Sequence, residues 1–226
     1  TKEDIPFLLE NNEKSLNIIC VAIKEFIAKQ NIKKEKILSI GINLSGRINY
    51  STGYSYSYFN FYEDPLSKYF EQEIGINTFL ENDTKALSYA EFNSGIIKNE
   101  KDVLFINIDT GIGLGILINQ NVYYGKSGFS GEFGHIPIFE NDVLCRCGKI
   151  GCLETEASGY ALLKLVISKI KNGATTILNS SFKNVDDIKL NDIINAAQKD
   201  DNLSIECINY IGDKLGKGVA ALINIF

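Results

Sequence analysis

The residues whose types and spacing are best suited to chemistry are His135, Cys145, Cys147 and Cys152. Three of the five cysteines fall between positions 145 and 152, and the only histidine in the chain stands ten residues before the first of them. Three thiolates and an imidazole make the donor set of a closed tetrahedral zinc site, with Gly148 and Gly151 letting the chain turn tightly between the ligands. An unliganded thiol cluster and a disulfide are the competing readings. The odd cysteine count, and no sign of an oxidising compartment, argue against the disulfide. With four protein ligands such a zinc is structural, because no position is left open for a catalytic water. Cys20 and Cys207 lie on apolar helix faces and are expected to be plain core residues.

Carboxylates flank this knot. Gly125, Gly128, Gly131 and Gly134 recur every three residues, with Glu132 and His135 among them, and Glu154 stands two residues past the last cysteine. Two carboxylates fixed beside a zinc knot suit recognition of vicinal hydroxyls, since each accepts two hydrogen bonds. Alternatively, Glu154 caps the helix that follows. Asp83 sits where a strand runs into a helix, and it reads either as that helix's N-cap or as a general base at the carboxyl end of a sheet strand. Asp109-Thr110-Gly111-Ile112-Gly113-Leu114-Gly115 is a glycine-rich turn whose amides could face a phosphate. It is followed by a strand and not a helix, so it is no dinucleotide fingerprint. Asp-Thr-Gly also occurs at the active site of aspartic proteases, but the second copy a single-chain protease needs is missing.

The elements that must position these groups alternate. Apolar spacing predicts a helix over 13–30, a buried strand over 37–42, and a helix opened by Asp64-Pro65 and stopped by Gly75. A strand follows over 76–80 and a helix over 84–92, which together imply a largely parallel α/β sheet. Tyr50 to Tyr62 carries five tyrosines and reads as a flap packed over a lobe edge or as a wall of a polar cleft. Three antiparallel strands are expected over 103–108, 112–118 and 122–124, and helices over 157–171, 191–199 and 203–226. The lobe boundary is placed near Asn99-Glu100-Lys101, giving an N-terminal lobe over 1–99 and a C-terminal lobe with the knot over 100–226.

Composition narrows the function. The 226 residues are 45% hydrophobic and 23% charged, as in an ordinary globular chain. No apolar run approaches the ~20 residues of a membrane span, and no secretion signal opens the sequence, so the expectation is a cytoplasmic protein with no membrane partner. The net charge is −5, and Arg47 and Arg146 are the only arginines among 23 basic residues, a poor endowment for holding nucleic acid. The chain opens on Thr1, contains no Met and ends in an apolar helical run, from which both ends are expected to be truncated.

Taken together, Glu81-Asn82-Asp83, Thr110 to Gly115, Gly131-Glu132-Phe133-Gly134-His135 and Cys145-Arg146-Cys147-Gly148-Lys149-Ile150-Gly151-Cys152-Leu153-Glu154 resemble the ROK family of repressors, open reading frames and kinases. The resemblance implies a bilobal actin-like, hexokinase-like ATPase fold of the ribonuclease H-like class. It implies a monosaccharide or derivative held between lobes by Asn82, Asp83, Glu132, His135 and Glu154, with one His135 nitrogen on zinc and the other toward a sugar hydroxyl. In the family's kinases the residue matching Asp83 is the general base, and the loop matching Thr110, Gly111 and Gly113 contacts the phosphate of Mg-ATP. Members often form homo-oligomers.

Two features depart from the kinases. Their Asp-x-Gly-Gly-Thr loop has no counterpart before Thr110, and Asp109 replaces a usual Gly, where a carboxylate repels phosphate unless magnesium intervenes. Lys126 to Glu132 also looks more like the sugar-responsive regulators. The expectation is therefore the sensory part of a ROK-type regulator, its DNA contacts made by an N-terminal domain outside this chain. An ATP-dependent sugar kinase is the alternative. Whether the protein is an enzyme is left open, as is the identity of the sugar.

Overall fold

In a computed structural model, residues 2–5, 10–95, 97 and 99–226 are described. The first predicted helix forms as α1, Glu13–Lys29, closed at its start by Asn12, whose side chain accepts from the Ser15 amide at 2.9 Å. Its Leu16 and Cys20 are buried against Phe70, Ile74 and Leu80, with Ile19, Ile23 and Ile27 beside them.

Strand β1, Ile40–Leu44, pairs in parallel with β4, Thr78–Asn82, in the register Ile40↔Thr78 through Leu44↔Asn82. Both strands begin two or three residues later than the apolar runs indicated. Lys34–Lys36 instead forms a 3-10 turn and Leu38 is 92% exposed, so Ile37-Leu38 is not strand. Because the two strands pair, one displacement carries the other with it. Between them, β2 (Ile48–Asn49) and β3 (Tyr54–Ser55) form a short hairpin. The tyrosine segment behaves as a packed flap: Phe59 is buried in the core, with Tyr58 and Tyr62 against it.

Helix α2, Leu66–Ile74, starts after Pro65 and not at Asp64, whose carboxylate pairs with Lys68 at 3.2 Å instead. It ends on Gly75 at φ +70, the left-handed stop that glycine favours. Helix α3, Asp83–Ser94, follows β4 directly.

Strands β5 (Val103–Ile108), β6 (Ile112–Ile118) and β7 (Asn121–Val122) make a three-stranded sheet in that order, the last shorter and earlier than expected. The expected helix from 157 is two helices, α4 (Leu153–Ala157) and α5 (Gly159–Lys171). Ser158 breaks them: its backbone is extended and its hydroxyl accepts the Ala161 amide at 3.1 Å, capping α5. Short α6 (Leu178–Ser181), α7 (Leu190–Ala197) and α8 (Asn202–Ile223) complete the chain. Leu162, Val166, Ile193 and Cys207 are central to their shared core.

The chain packs as two compact units, residues 1–105 with 115–131, and residues 106–114 with 132–226. These units are discontinuous in sequence, whereas the lobes expected from the sequence part once, near residues 99–101. No helix among the described residues is long and apolar enough to cross a membrane.

Candidate functional site

The second unit contains the knot. Donor atoms of His135, Cys145, Cys147 and Cys152 all lie within 4.8 Å of one another. Cys147 and Cys152 sulfurs are 3.6 Å apart, and His135 Nδ1 is 3.5 Å from Cys145 Sγ. Ligands on a tetrahedral zinc ion, with bonds of about 2.0–2.3 Å, stand about 3.5–3.8 Å apart, so the donors fit such an ion in kind and number, and these two pairs fit it in spacing. All five cysteines are free thiols, and Cys20 and Cys207 are buried in the two cores as expected.

Backbone pairing builds this arrangement. Cys145 and Gly148 close a turn through the bonds Cys145 N–H to Lys149 O (2.8 Å) and Gly148 N–H to Cys145 O (2.9 Å). The Ile138 and Phe139 amides both donate to Gly151 O. Gly151 has no substitute here: its φ is +75, and a Cβ would lie 1.9 Å from the Phe139 carbonyl oxygen. Burial pushes the Cys152 thiol up to about 12 and raises Cys145 as well. At Cys147 burial acts the same way but is outweighed by the Lys149 amide and by hydrogen bonding with the other two thiols, which lower it. A bound cation would displace the protons of these thiols.

Three polar side chains surround the knot. His135 directs Nδ1 at Cys145 and Nε2 at Glu132, whose Oε2 is 4.0 Å away. A metal on Nδ1 would fix the proton on Nε2. Glu154 is only 13% exposed, and it caps nothing in its own helix. Its Oε2 accepts the Ile112 amide at 3.0 Å, and its Oε1 lies 3.5 Å from Arg146 Nη2. Gly111 packs on that carboxylate, and Gly134 lies close to both the Ile112 carbonyl and the Glu154 Cβ. Gly111 and Ile112 therefore adjoin Glu154, with Thr110 and Gly113 their neighbours in the chain. The carbonyls of Asp109 and Thr110 accept from the Gly159 and Tyr160 amides at 2.8 and 3.2 Å.

Asn82 and Asp83 belong to the first unit. The cap of α3 is Asn82, whose Oδ1 accepts the Lys85 amide at 3.0 Å, so the N-cap reading of Asp83 is wrong by one residue. The strand runs to Asn82, which puts Asp83 in the first helical turn. Asp83 Oδ1 accepts the Thr84 amide at 2.7 Å, and its Oδ2 accepts the Ser45 hydroxyl. Asn82 Nδ2 also donates to the Gly46 carbonyl at 3.0 Å. The parallel pairing of β1 and β4 places Ser45 and Gly46 beside Asp83, at the carboxyl ends of both strands. Deeper in this unit, buried Lys85 donates to the Gly128 carbonyl at 2.7 Å. Tyr124, stacked on Tyr50 at 3.9 Å, donates to Glu81 at 2.7 Å. Burial raises the Tyr124 hydroxyl well above its ordinary range, and the Glu81 bond adds to the effect. A groove of about 520 Å³ between α1 and β1 in this unit has aliphatic walls (Ile19, Ile23, Ile37, Ile40) and little to offer a polar ligand.

The five expected sugar residues thus fall into two groups, Asn82 with Asp83 and Glu132 with His135 and Glu154. Ser45, Arg146 and Lys85 were not anticipated.

The ROK family profile matches residues 9–226. The chain belongs to the ROK family. It is 32% identical over 219 residues to the xylose repressor of Caldicellulosiruptor bescii, covering 96% of this chain and 55% of the repressor. Over 207 residues it is 30% identical to the DNA-binding transcriptional dual regulator NagC of Escherichia coli K12, covering 91% of this chain and 50% of NagC. A solved ROK family transcriptional regulator, a homolog of the E. coli MLC protein, superposes with TM-score 0.78 at 31% identity, covering 93% of this ROK chain and 53% of that one. A ROK family glucokinase from Streptomyces griseus, solved with glucose and AMPPNP, gives TM-score 0.83 at 28% identity, covering 95% and 69%. The fold is accordingly the actin-like ATPase fold of ROK domains. The chain spans about half the length of the curated relatives it matches.

Proposed function

We propose that this ROK domain is the sugar-binding part of a cytoplasmic, homo-oligomeric transcriptional regulator whose DNA contacts lie outside these 226 residues. One observation carries that reading over phosphoryl transfer: a repressor matches 96% of the chain at 32% identity. Asp109 supports it, since an exposed carboxylate in the phosphate turn opposes a nucleotide. The ligand is a monosaccharide or derivative. In the second unit Glu132 and Glu154 accept from its hydroxyls and His135 Nε2 donates; Asn82 and Asp83 are the first unit's candidate sugar residues. A zinc ion on His135 Nδ1 and the three thiolates would be structural, fixing the imidazole tautomer and the loop. The sugar acts on DNA binding through its differential affinity for the DNA-competent and DNA-incompetent states.

The test is calorimetry of the full-length, zinc-loaded protein with D-xylose, D-glucose and N-acetylglucosamine, alongside operator binding. One sugar should bind and shift the affinity for DNA. Glu132→Gln and Glu154→Gln should each weaken it about tenfold or more with one zinc per chain retained. Unchanged affinity in both variants, or no sugar effect on DNA, refutes the reading. The superposition on the glucokinase keeps one second reading: ADP release from Mg-ATP and sugar, lost in Asp83→Asn, would make the protein a sugar kinase with Asp83 as base.

A further inference from the structure

We infer that Arg146 is a positioning residue that transmits the state of the metal knot to the glycine turn through Glu154. Arg146 stands between two knot ligands, Cys145 and Cys147, so an ion holding both fixes its backbone on either side. Its guanidinium is 66% exposed, yet Nη2 lies 3.5 Å from Oε1 of a carboxylate that is only 13% exposed. A carboxylate so enclosed needs a countercharge, and Arg146 supplies it. The other oxygen of Glu154 takes the Ile112 amide at the start of β6. Gly111 completes the contact: a Cβ there would lie 2.6 Å from Oε2 and 3.5 Å from Arg146 Nη2. One carboxylate therefore bridges a cation carried by the knot and a backbone amide of the turn. Without an ion, Cys145 is held by the backbone bonds of its turn and the two cysteines by weak contacts to His135 and Cys152, so Arg146 is less firmly fixed and Glu154 loses part of what aims it at Ile112. The consequence for sugar affinity rests on the proposed function; the latch itself does not.

Amide hydrogen exchange at Ile112 tests it in the full-length, zinc-loaded protein. Arg146→Ala should speed exchange there about two- to fivefold, as expected for a solvent-exposed ion pair, with one zinc still bound and α8 amides unchanged. Arg146→Lys should fall between. Glu154→Ala should speed it about tenfold or more, and adding Arg146→Ala to Glu154→Ala should change nothing further. Removing zinc with a chelator should speed Ile112 exchange in the parent and have a smaller effect in Arg146→Ala. Exchange at Ile112 that is unmoved by Arg146→Ala, or moved equally in the Glu154→Ala background, overturns the inference. A protein that shows the latch but binds none of the sugars refutes the proposed function and leaves the latch standing. Normal sugar binding with an unmoved Ile112 amide does the reverse.

Discussion

Replacing Gly111 by Ala puts the geometry of the turn to a quantitative test. The new Cβ would stand 2.6 Å from Glu154 Oε2, so the carboxylate has to retreat by about 0.8 Å to reach ordinary contact. The Ile112 amide is now 3.0 Å from that oxygen, and a retreat of this size takes the pair beyond hydrogen-bonding distance. Losing a bond to a charged, largely enclosed acceptor costs about 1.5–3 kcal/mol. Ala also stiffens the unfolded chain, which returns about 0.4–1 kcal/mol. The steric term wins, leaving a net loss of about 1–2 kcal/mol. Urea unfolding with zinc held in excess should show this as a lower midpoint at unchanged slope. Shortening the acid by one methylene, Glu154→Asp, makes room for the new methyl. Gly111→Ala should therefore cost less in that background than in the parent. Equal stability of Gly111→Ala and parent, or the same cost in both backgrounds, would refute the claim that Gly111 is required by the carboxylate.

Asp201 should set part of the acid sensitivity of the second unit. Burial pushes its carboxyl up, but the Ser204 hydroxyl and the Ile177 and Ser204 amides, with Thr176 Oγ1, outweigh this and hold it below the ordinary range. A depressed carboxylate stabilises the fold above its unfolded pKa, about 3.9, and that contribution is lost as pH falls through the folded value. Asp201→Asn should therefore cost about 1.5–3 kcal/mol at neutral pH, with the gap to the parent narrowing below about pH 4; a gap independent of pH would refute the assignment. Lys85→Met should leave the Gly128 carbonyl without its 2.7 Å donor and loosen the segment around it. Limited proteolysis should cut faster near 125–131, and an unchanged cleavage rate would show that other contacts hold the segment.

The parts legible in the sequence are those whose causes are local. The knot is one: donor types and short spacings between 135 and 152 are enough to pick out four side chains that the fold brings together. Helix α1 is another, because its apolar period and the Asn12 cap lie within one stretch. Strand limits were less legible, since the register of β1 against β4 is set by pairing across the fold and not by where the apolar residues cluster. The helix after β4 starts one residue earlier than expected, which moves the cap from Asp83 to Asn82. The contacts that define the site were the least legible of all. Ser45 reaches Asp83 across 38 residues and Glu154 reaches the Ile112 amide across 42, and no local pattern encodes either meeting. Glu154 looked like a ligand or a cap; a carboxylate shared between Arg146 and a backbone amide was not foreseeable from its neighbours.

The turn at 109–113 is where the regulator and kinase readings part on physical grounds. A helix start offers an anion its free amides and its dipole. At α5 those amides are already engaged: Gly159 and Tyr160 donate to the Asp109 and Thr110 carbonyls, and Ala161 donates to Ser158 Oγ. Two carbonyl oxygens of the turn thus take the first amides of α5, and the Asp109 carboxylate is exposed on the same turn. On the other side, the Ile112 amide is engaged by Glu154. A turn braced in this way is rigid, but its own residues supply the negative groups that a nucleotide phosphate would have to displace. Sugar hydroxyls make no such demand, because they bring donors to carboxylates and acceptors to an imidazole N–H. On the proposed function, a turn crowded with its own acceptors beside carboxylates that can take hydroxyl donors suits a sugar sensor better than a phosphoryl-transfer enzyme.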